Sequence, residues 1–419
     1  LSPEFAVYNG LPGRRGELDD YSPAGLAARN DLDRSTLREL DGVEAADDVD
    51  RVTVAAMRER LGVGLDLADA GEDLRSLNNI DSPVQTLRDG FDNLPTATGE
   101  DWADFASALR AVPRALDQYA QSLRLARSRG DVAARRQVGA AISQARDQAG
   151  EATSSYTALI DGAATTDGAP LPPALAAELR EAAAVARRGY ARLADFLAEE
   201  ILPEAGRADA VGRERYERFS REFLGAVVDL DETYEWGRER LAAIDAEQRA
   251  IAERLYGPGT GVREAMDRLN ADPARTVHGT AALRDWMQQT SDRAMAALDG
   301  VHFDIPAPLR TLECRIAPSA TGGIYYTGPS DDFSRPGRMW WSVPAGTEDF
   351  ATWQERTTVF HEGVPGHHLQ VGMQTHLRGE LNSWRRLACW VSGHGEGWAL
   401  YAERLMADLG FQDDPGDRF

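Results

Sequence analysis

Apolar residues recur at intervals of three and four positions through most of the first 255 residues of the chain, between Ala, Glu and Arg. The spacing is clearest in residues 52–65, 175–197 and 219–255. A period close to one helical turn predicts amphipathic helices. Strand-like alternation is scarce in this part of the chain, so we predict that residues 22–255 are mostly helical.

Two segments interrupt this pattern. Residues 161–173, rich in Gly, Ala, Thr and Pro, predict a loop, and so do residues 256–261. After about residue 302 the composition changes to short runs with aromatic and β-branched residues, separated by Pro, Gly, Ser and Asp. These runs, at residues 309–316, 323–327 and 337–343, predict a small antiparallel sheet.

A helix is predicted to return after the turn at residues 344–347, with Thr347 or Asp349 as its N-terminal cap. The expected fold is therefore predominantly α-helical, with the small sheet beside this helix. We expect residues 1–300 to form one helical wall of a cleft and residues 301–419 to hold the sheet and the candidate site, as parts of one catalytic unit.

The net charge of −22 and the sequence pI near 4.8 argue against nucleic acid and anionic membrane surfaces as partners, because both would repel the chain. No apolar run is long enough to predict membrane insertion.

Every basic residue is Arg, which excludes Schiff-base lysine chemistry and the phosphate-binding loop. We expect a cytoplasmic protein, with a secreted form whose signal has been removed as the open alternative. The oligomeric state is left open.

Residues 361–368, with the sequence HEGVPGHH, hold three His and one Glu. A catalytic zinc ion takes three protein ligands, typically imidazoles and a carboxylate, and leaves its fourth position to water. A second carboxylate must then accept a proton from that water, and Glu362 is the candidate. We therefore predict a zinc site for hydrolysis, with His361 as one ligand.

His361 and His367 are six residues apart, a separation of about 9 Å along a straight helix and on different faces. Pro365 removes a helical hydrogen bond and the flanking glycines tolerate unusual backbone angles, so we predict a kink that brings the two rings together. His368 is the alternative second ligand, with a rise of about 10.5 Å. Glu396, at the glycine-flanked start of a later helix, is the predicted third ligand. Glu403, on the same helix face, is either a partner of a histidine ring or a solvated charge.

These segments, HEGVPGHHLQ and EGWALYAE, resemble the signature of a bacterial domain-of-unknown-function family, number 885. Their arrangement is similar to that of the glutamate-zincin metallopeptidases, such as angiotensin-converting enzyme and the oligopeptidases. The resemblance implies a large helical zincin-like architecture, with His361, His367 and Glu396 as zinc ligands and Glu362 as the base. Two inserted residues around Pro365 depart from the zincin pattern.

The resemblance extends over nearly the whole chain. Family members usually continue past the equivalent of Phe419, so we expect a truncated chain, which leaves open whether residues that stabilise an oxyanion lie within it.

Tyr325, Tyr326, Arg335 and Arg338 come just before the candidate zinc helix, where related peptidases bind an extended substrate along an edge strand. Tyr326 is a candidate to support the tetrahedral intermediate and Arg338 to pair with a peptide carboxylate. Aromatic packing and surface charge are the alternative roles.

The expected function is a zinc metallopeptidase that cleaves short peptides. A zinc amidohydrolase acting on a non-peptide amide and a helical binding scaffold that has lost its activity are the alternatives.

Overall fold

The computed structural model of the chain describes residues 2–165, 168–317, 323–344 and 346–419. Contacts between residues divide the chain into two compact units, Leu1–Phe219 and Ser220–Phe419. The chain is predominantly helical with small sheets, as the sequence predicts. None of the helices in the described residues has the length and apolar character that a membrane span requires. The division between the units precedes the change in composition near residue 300, so helices from the first part of the chain share the second unit with the sheets.

The first unit consists of helices joined by loops. They are α1 (Pro3–Tyr8), α2 (Pro23–Leu40), α3 (Asp48–Asp69), α4 (Pro83–Asp89), α5 (Gly99–Ser128), α6 (Arg135–Ala149), α7 (Ser155–Asp161), α8 (Pro173–Phe196) and most of α9 (Arg213–Leu224). Buried residues of α5 and α8 share one hydrophobic cluster. Gly189 of α8 lies against Pro113 of α5, where an added Cβ would come within 3.0 Å of the Pro113 Cα, so the missing side chain lets these helices pack closely.

The second unit combines helices with two small sheets. Its helices are α10 (Leu230–Tyr256), α11 (Val262–Asn270), α12 (Thr280–Leu298), α13 (Thr352–Glu362), α14 (His367–His376), α15 (Ser383–Leu387), α16 (Ser392–Asp408) and α17 (Pro415–Arg418). Its strands are β1 (Thr276–His278), β2 (Leu312–Ile316), β3 (Ile324–Thr327), β4 (Gly337–Trp341) and β5 (Asp349–Ala351). The predicted breaks are confirmed, because α8 begins at Pro173 and α10 ends at Tyr256; residues 166–167 of the first break lie outside the described residues.

The prediction of an antiparallel sheet is wrong in one pairing. The three-stranded sheet has the order β2-β4-β3, in which β4 runs antiparallel to β3 but parallel to β2. The chain reverses direction between successive strands, and β4 inserts between the two earlier ones, so it lies parallel to β2. Residues 307–309, partly within the first predicted run, form a single turn of 3₁₀ helix.

The predicted N-terminal caps, Thr347 and Asp349, are also wrong. Asp349 belongs to β5, which pairs antiparallel with β1, and α13 begins only at Thr352. Its N-cap position is held by Ala351, whose side chain makes no capping bond. The partner strand lies more than seventy residues earlier, and Asp349 is paired there with His278, so local capping signals could not reveal it.

Two hydrophobic clusters fix the C-terminal turn of α13. Val359 is fully buried in a cluster with the inner face of the sheet, including Leu312 and Met339, and with α12. Phe360 belongs to a second cluster that includes Leu369 of α14 and Met406 of α16. Val359 and Phe360 are thus anchored on two sides of the helix. This packing gives the next two residues, His361 and Glu362, a defined position.

Candidate metal centre

A break in helical structure separates the two histidines that lie six residues apart. α13 ends at Glu362 and α14 begins at His367, with the four residues 363–366 between them. The peptide bond between Val364 and Pro365 is cis. The imidazole rings of His361 and His367 lie at a right angle, with their centroids 4.9 Å apart. The predicted kink is confirmed, and it brings both rings to one place.

The turn leaves no room for side chains at its glycines. An added Cβ at Gly366 would collide with the carbonyl oxygens of His361 and Phe360. The Gly366 amide donates to the Phe360 carbonyl at 3.1 Å, which draws the turn back onto α13. From α16, the indole Nε1 of Trp398 donates to the Pro365 carbonyl at 2.8 Å. The backbone path of the turn is thus fixed from both sides.

Three side chains converge at this break. Nε2 of His361 lies 3.2 Å from Oε2 of Glu396, and Nε2 of His367 lies 3.7 Å from the same oxygen. The three potential ligand atoms all lie within 4.8 Å of one another. In a tetrahedral zinc site with bonds of about 2.0–2.1 Å, neighbouring ligand atoms are about 3.3 Å apart. Two imidazoles and one carboxylate at these distances fit a zinc ion with its fourth position open.

Glu403 and Thr357 hold the ring of His361. Nδ1 of His361 lies 2.7 Å from one oxygen of Glu403, and the Thr357 hydroxyl donates to the other at 2.6 Å. An ionised carboxylate only accepts, so in the neutral ring Nδ1 carries the proton and Nε2 keeps its lone pair. That lone pair faces the carboxylate of Glu396, and a cation between two such acceptors stabilises the arrangement.

The electrostatics of the centre follow from burial and from its carboxylates. Burial opposes charging of His361, but the hydrogen bond with Glu403 and the charges of Glu362, Glu403 and Glu396 outweigh it, and the pKa of His361 is raised. Burial lowers the pKa of His367 despite the charge of Glu396. A concentration of negative charge beside two imidazoles favours a bound cation.

Glu362 directly follows His361 at the end of α13, and only 7% of its surface is exposed. Burial is the main cause that raises the pKa of its carboxyl to about 7; the charge of His361 lowers this pKa, and those of Glu396 and Glu403 raise it further. The carboxyl is therefore coupled to the other charges of the centre while being shielded from bulk water, as expected of a proton acceptor in an active site.

His368, the alternative ligand, has both ring nitrogens occupied elsewhere. Its Nε2 lies 2.7 Å from the Leu309 carbonyl, which only accepts, so Nε2 donates and Nδ1 accepts from the Tyr326 hydroxyl at 3.0 Å. The side chain is fully buried, and this burial lowers the pKa of His368 to about 4. His368 thus links α14 to the strand region as a neutral ring, while His367 is the histidine that the structure brings to His361.

Tyr326 and Arg338 point to opposite faces of the three-stranded sheet. Tyr326 pairs with Met339 in register, on the inner face, and its hydroxyl is bonded to His368. Arg338, one residue from Met339, lies on the outer face, where its Nε donates to Glu313 at 2.9 Å. The outer face also carries Trp340, on which Tyr325 and the guanidinium of Arg338 pack. The catalytic roles expected for Tyr326 and Arg338 stay predictions.

Three residues in or beside the centre were not singled out from the sequence: Thr357 and Trp398, which hold parts of it in place, and Trp390, which lies beside His367. Thr357 lies one helical turn before His361, a spacing that could have indicated a shared face. Trp398 comes two residues after Glu396, but its bond to the Pro365 carbonyl depends on how two helices pack. Trp390 lies next to His367 because of the loop before α16, for which the sequence carries no spacing signal.

Comparisons with known proteins agree with this architecture. A sequence profile described as "Bacterial protein of unknown function (DUF885)" matches residues 3–419. The search of curated proteins finds no match. A crystal structure from Colwellia psychrerythraea, described as a predicted lipoprotein, is similar with a TM-score of 0.81 at 19% identity, covering 99% of this chain and 76% of its own. A predicted lipoprotein of unknown function from Shewanella oneidensis has a TM-score of 0.62 at 15% identity, with the same coverage. At these identities the two structures show a shared fold.

Replacing each of the two neighbouring histidines should affect a different property of the protein. We expect His367→Ala to lose most of its zinc affinity, because one of three ligand atoms is removed, and His368→Ala to keep that affinity within a few-fold. His368→Ala should instead lower the free energy of unfolding by about 1–3 kcal/mol, because the Leu309 carbonyl and the Tyr326 hydroxyl lose their buried partner. Calorimetric zinc titration and denaturant unfolding measure the two effects. A greater loss of zinc affinity in His368→Ala would contradict the assignment.

Gly366→Ala should weaken zinc binding by at least about tenfold, because the new Cβ forces the turn away from two backbone carbonyls and displaces His367. Gly397→Ala is the matched control, since it lies next to Glu396 in α16 and an added Cβ there meets nothing within 4 Å. Zinc titration of both variants compares them directly. Equal affinities would show that the turn does not position the ligands.

Proposed function

The chain belongs to the bacterial DUF885 family, and we propose that it is a zinc-dependent hydrolase that cleaves short peptides. The main support for the proposal is the convergence of His361, His367 and Glu396, together with the buried carboxyl of Glu362, whose pKa responds to the charges of His361 and Glu396. This set contains the donor atoms that zinc prefers, together with a separate group able to accept a proton.

Two features favour a catalytic site over a structural one. Structural zinc sites are closed by four protein ligands, whereas catalytic sites have three and an open position. Among the described residues, three potential ligand side chains come together here. The side chain of Glu396 is 43% exposed, so water and a substrate have access to the cluster, while His367 on the inner side is 9% exposed.

Each residue of the centre has its own role in the proposed reaction. A bound zinc ion would supply Lewis-acid chemistry, polarising a carbonyl group and lowering the pKa of water. Glu362 takes the proton from the attacking water and passes it to the leaving nitrogen. Glu403 and Thr357 fix the tautomer and orientation of His361. Trp398 holds the turn that carries His367.

The sheet next to the centre supports a peptide as the substrate. β3 is an edge strand of the β2-β4-β3 sheet and lies beside α13, the helix that carries His361 and Glu362. An extended peptide can add to an edge strand through backbone hydrogen bonds, and this is the mode of binding that we propose for β3. Backbone pairing recognises peptides of varied sequence, which suits a peptidase of short substrates.

Two alternatives, a hydrolase of non-peptide amides and an inactive scaffold, can be distinguished from a peptidase by experiment. Cleavage of acyl anilides without cleavage of any peptide would favour the amidohydrolase, and purified protein that binds no zinc would favour the scaffold.

The two solved neighbours are described as predicted lipoproteins. A secreted location, which the sequence leaves open, is as compatible with this fold as the expected cytoplasmic location.

Glu362→Gln should keep zinc affinity and lose hydrolysis by a factor of about 100 or more, because the amide preserves shape but cannot accept a proton. The assay is zinc-loaded protein incubated with a mixture of short synthetic peptides, with the products identified by mass spectrometry.

Glu380→Gln, an exposed position outside the centre, is the matched control and should cleave like the wild type. If Glu362→Gln turns over within a few-fold of the wild type, another group is the base. If the zinc-loaded wild type cleaves no peptide, the peptidase proposal is wrong.

A further inference from the structure

A tryptophan in the loop between α15 and α16 lies directly beside the metal centre. The ring of Trp390 is 6.2 Å from the ring of His367 between centroids, tilted by 57°. Its benzenoid edge lies on Gly395, the residue directly before Glu396. Trp390 therefore lies beside His367, which precedes it by more than twenty residues of sequence, and against the residue next to Glu396.

The indole is held in a defined position. Its Nε1 donates to the Ser392 hydroxyl at 3.1 Å, at the start of α16. An added Cβ on Gly395 would collide with the indole, lying 2.5 Å from Cζ2 and still closer to Cη2. The absence of a side chain at Gly395 therefore creates the space that the ring occupies, and the hydrogen bond fixes how the ring is turned within it.

Trp390 is nevertheless 43% exposed. A single exposed apolar residue needs no special explanation, but this one is fixed in position by Gly395 and by its bond to Ser392. Here a rigid aromatic surface is presented to solvent at the edge of a polar cluster that Glu396 opens to water. A preorganised aromatic ring binds an apolar group at little cost in conformational entropy.

We propose that Trp390 forms one wall of a substrate subsite that takes an apolar or aromatic side chain next to the scissile bond. This inference rests on the proposed function, since it assigns the specificity of the same centre. Trp390 acts as a binding residue and takes no part in the chemical step. An apolar side chain is the expected occupant, because packing against the face of the indole removes its apolar surface from water.

Two hydroxamates of different size test this subsite without knowledge of the natural substrate. Acetohydroxamate and phenylacetohydroxamate share a zinc-binding group and differ by one phenyl ring. Calorimetric titration into the zinc-loaded wild type should show about tenfold tighter binding of the phenyl compound, as expected when a ring packs against an aromatic wall. Trp390→Ala should abolish most of this preference while leaving acetohydroxamate affinity unchanged, and Trp390→Phe should retain part of it.

Trp236→Ala is the matched control, because Trp236 on α10 is 61% exposed, and it should keep the full preference. An unchanged preference in Trp390→Ala would overturn the subsite. Loss of zinc or of acetohydroxamate binding in both Trp390 variants would also overturn it, since the ring would then support the centre itself. If the zinc-loaded wild type binds neither hydroxamate, the metal centre of the proposed function fails and the subsite fails with it.

Discussion

The centre depends on one constraint: two imidazoles six residues apart in sequence must reach the same point. A continuous helix would separate them by about 9 Å along its axis and turn them to different faces. The chain meets this constraint by ending α13 at Glu362, turning sharply through residues 363–366 and beginning α14 at His367. Gly366 leaves room for this turn, Trp398 holds it, and the hydrophobic clusters around Val359 and Phe360 fix the helix end that leads into it.

Packing makes the turn a fixed feature rather than a fluctuating one. Val359 and Phe360 anchor the end of α13 in two hydrophobic clusters, and Leu369 anchors the beginning of α14 in one of them. His368 adds a buried polar link between α14 and the strand region. The burial of apolar side chains thus holds the polar groups of the centre in position. These groups, three carboxylates near two imidazoles, would not assemble by their own interactions.

Local sequence signals predicted what depends on local chemistry. The helices, the break around Pro365 and the start of α16 near Glu396 all follow from periodicity and from glycine and proline positions, and the structure contains them. What the sequence did not reveal depends on contacts between distant segments: the insertion of β4 between β2 and β3, the pairing of β5 with β1, and the positions of Trp390 and Trp398. These contacts are set by tertiary packing, which residue spacing does not encode.

The central claim is that His361, His367 and Glu396 together bind one zinc ion. An anomalous difference map measured at the zinc absorption edge, from crystals grown with zinc, tests this claim most directly. We expect one strong peak within about 2.0–2.2 Å of Nε2 of both histidines and of a Glu396 carboxylate oxygen. A map without a peak at this position, or with its peak bonded to His368, would show that these three residues do not form the zinc site.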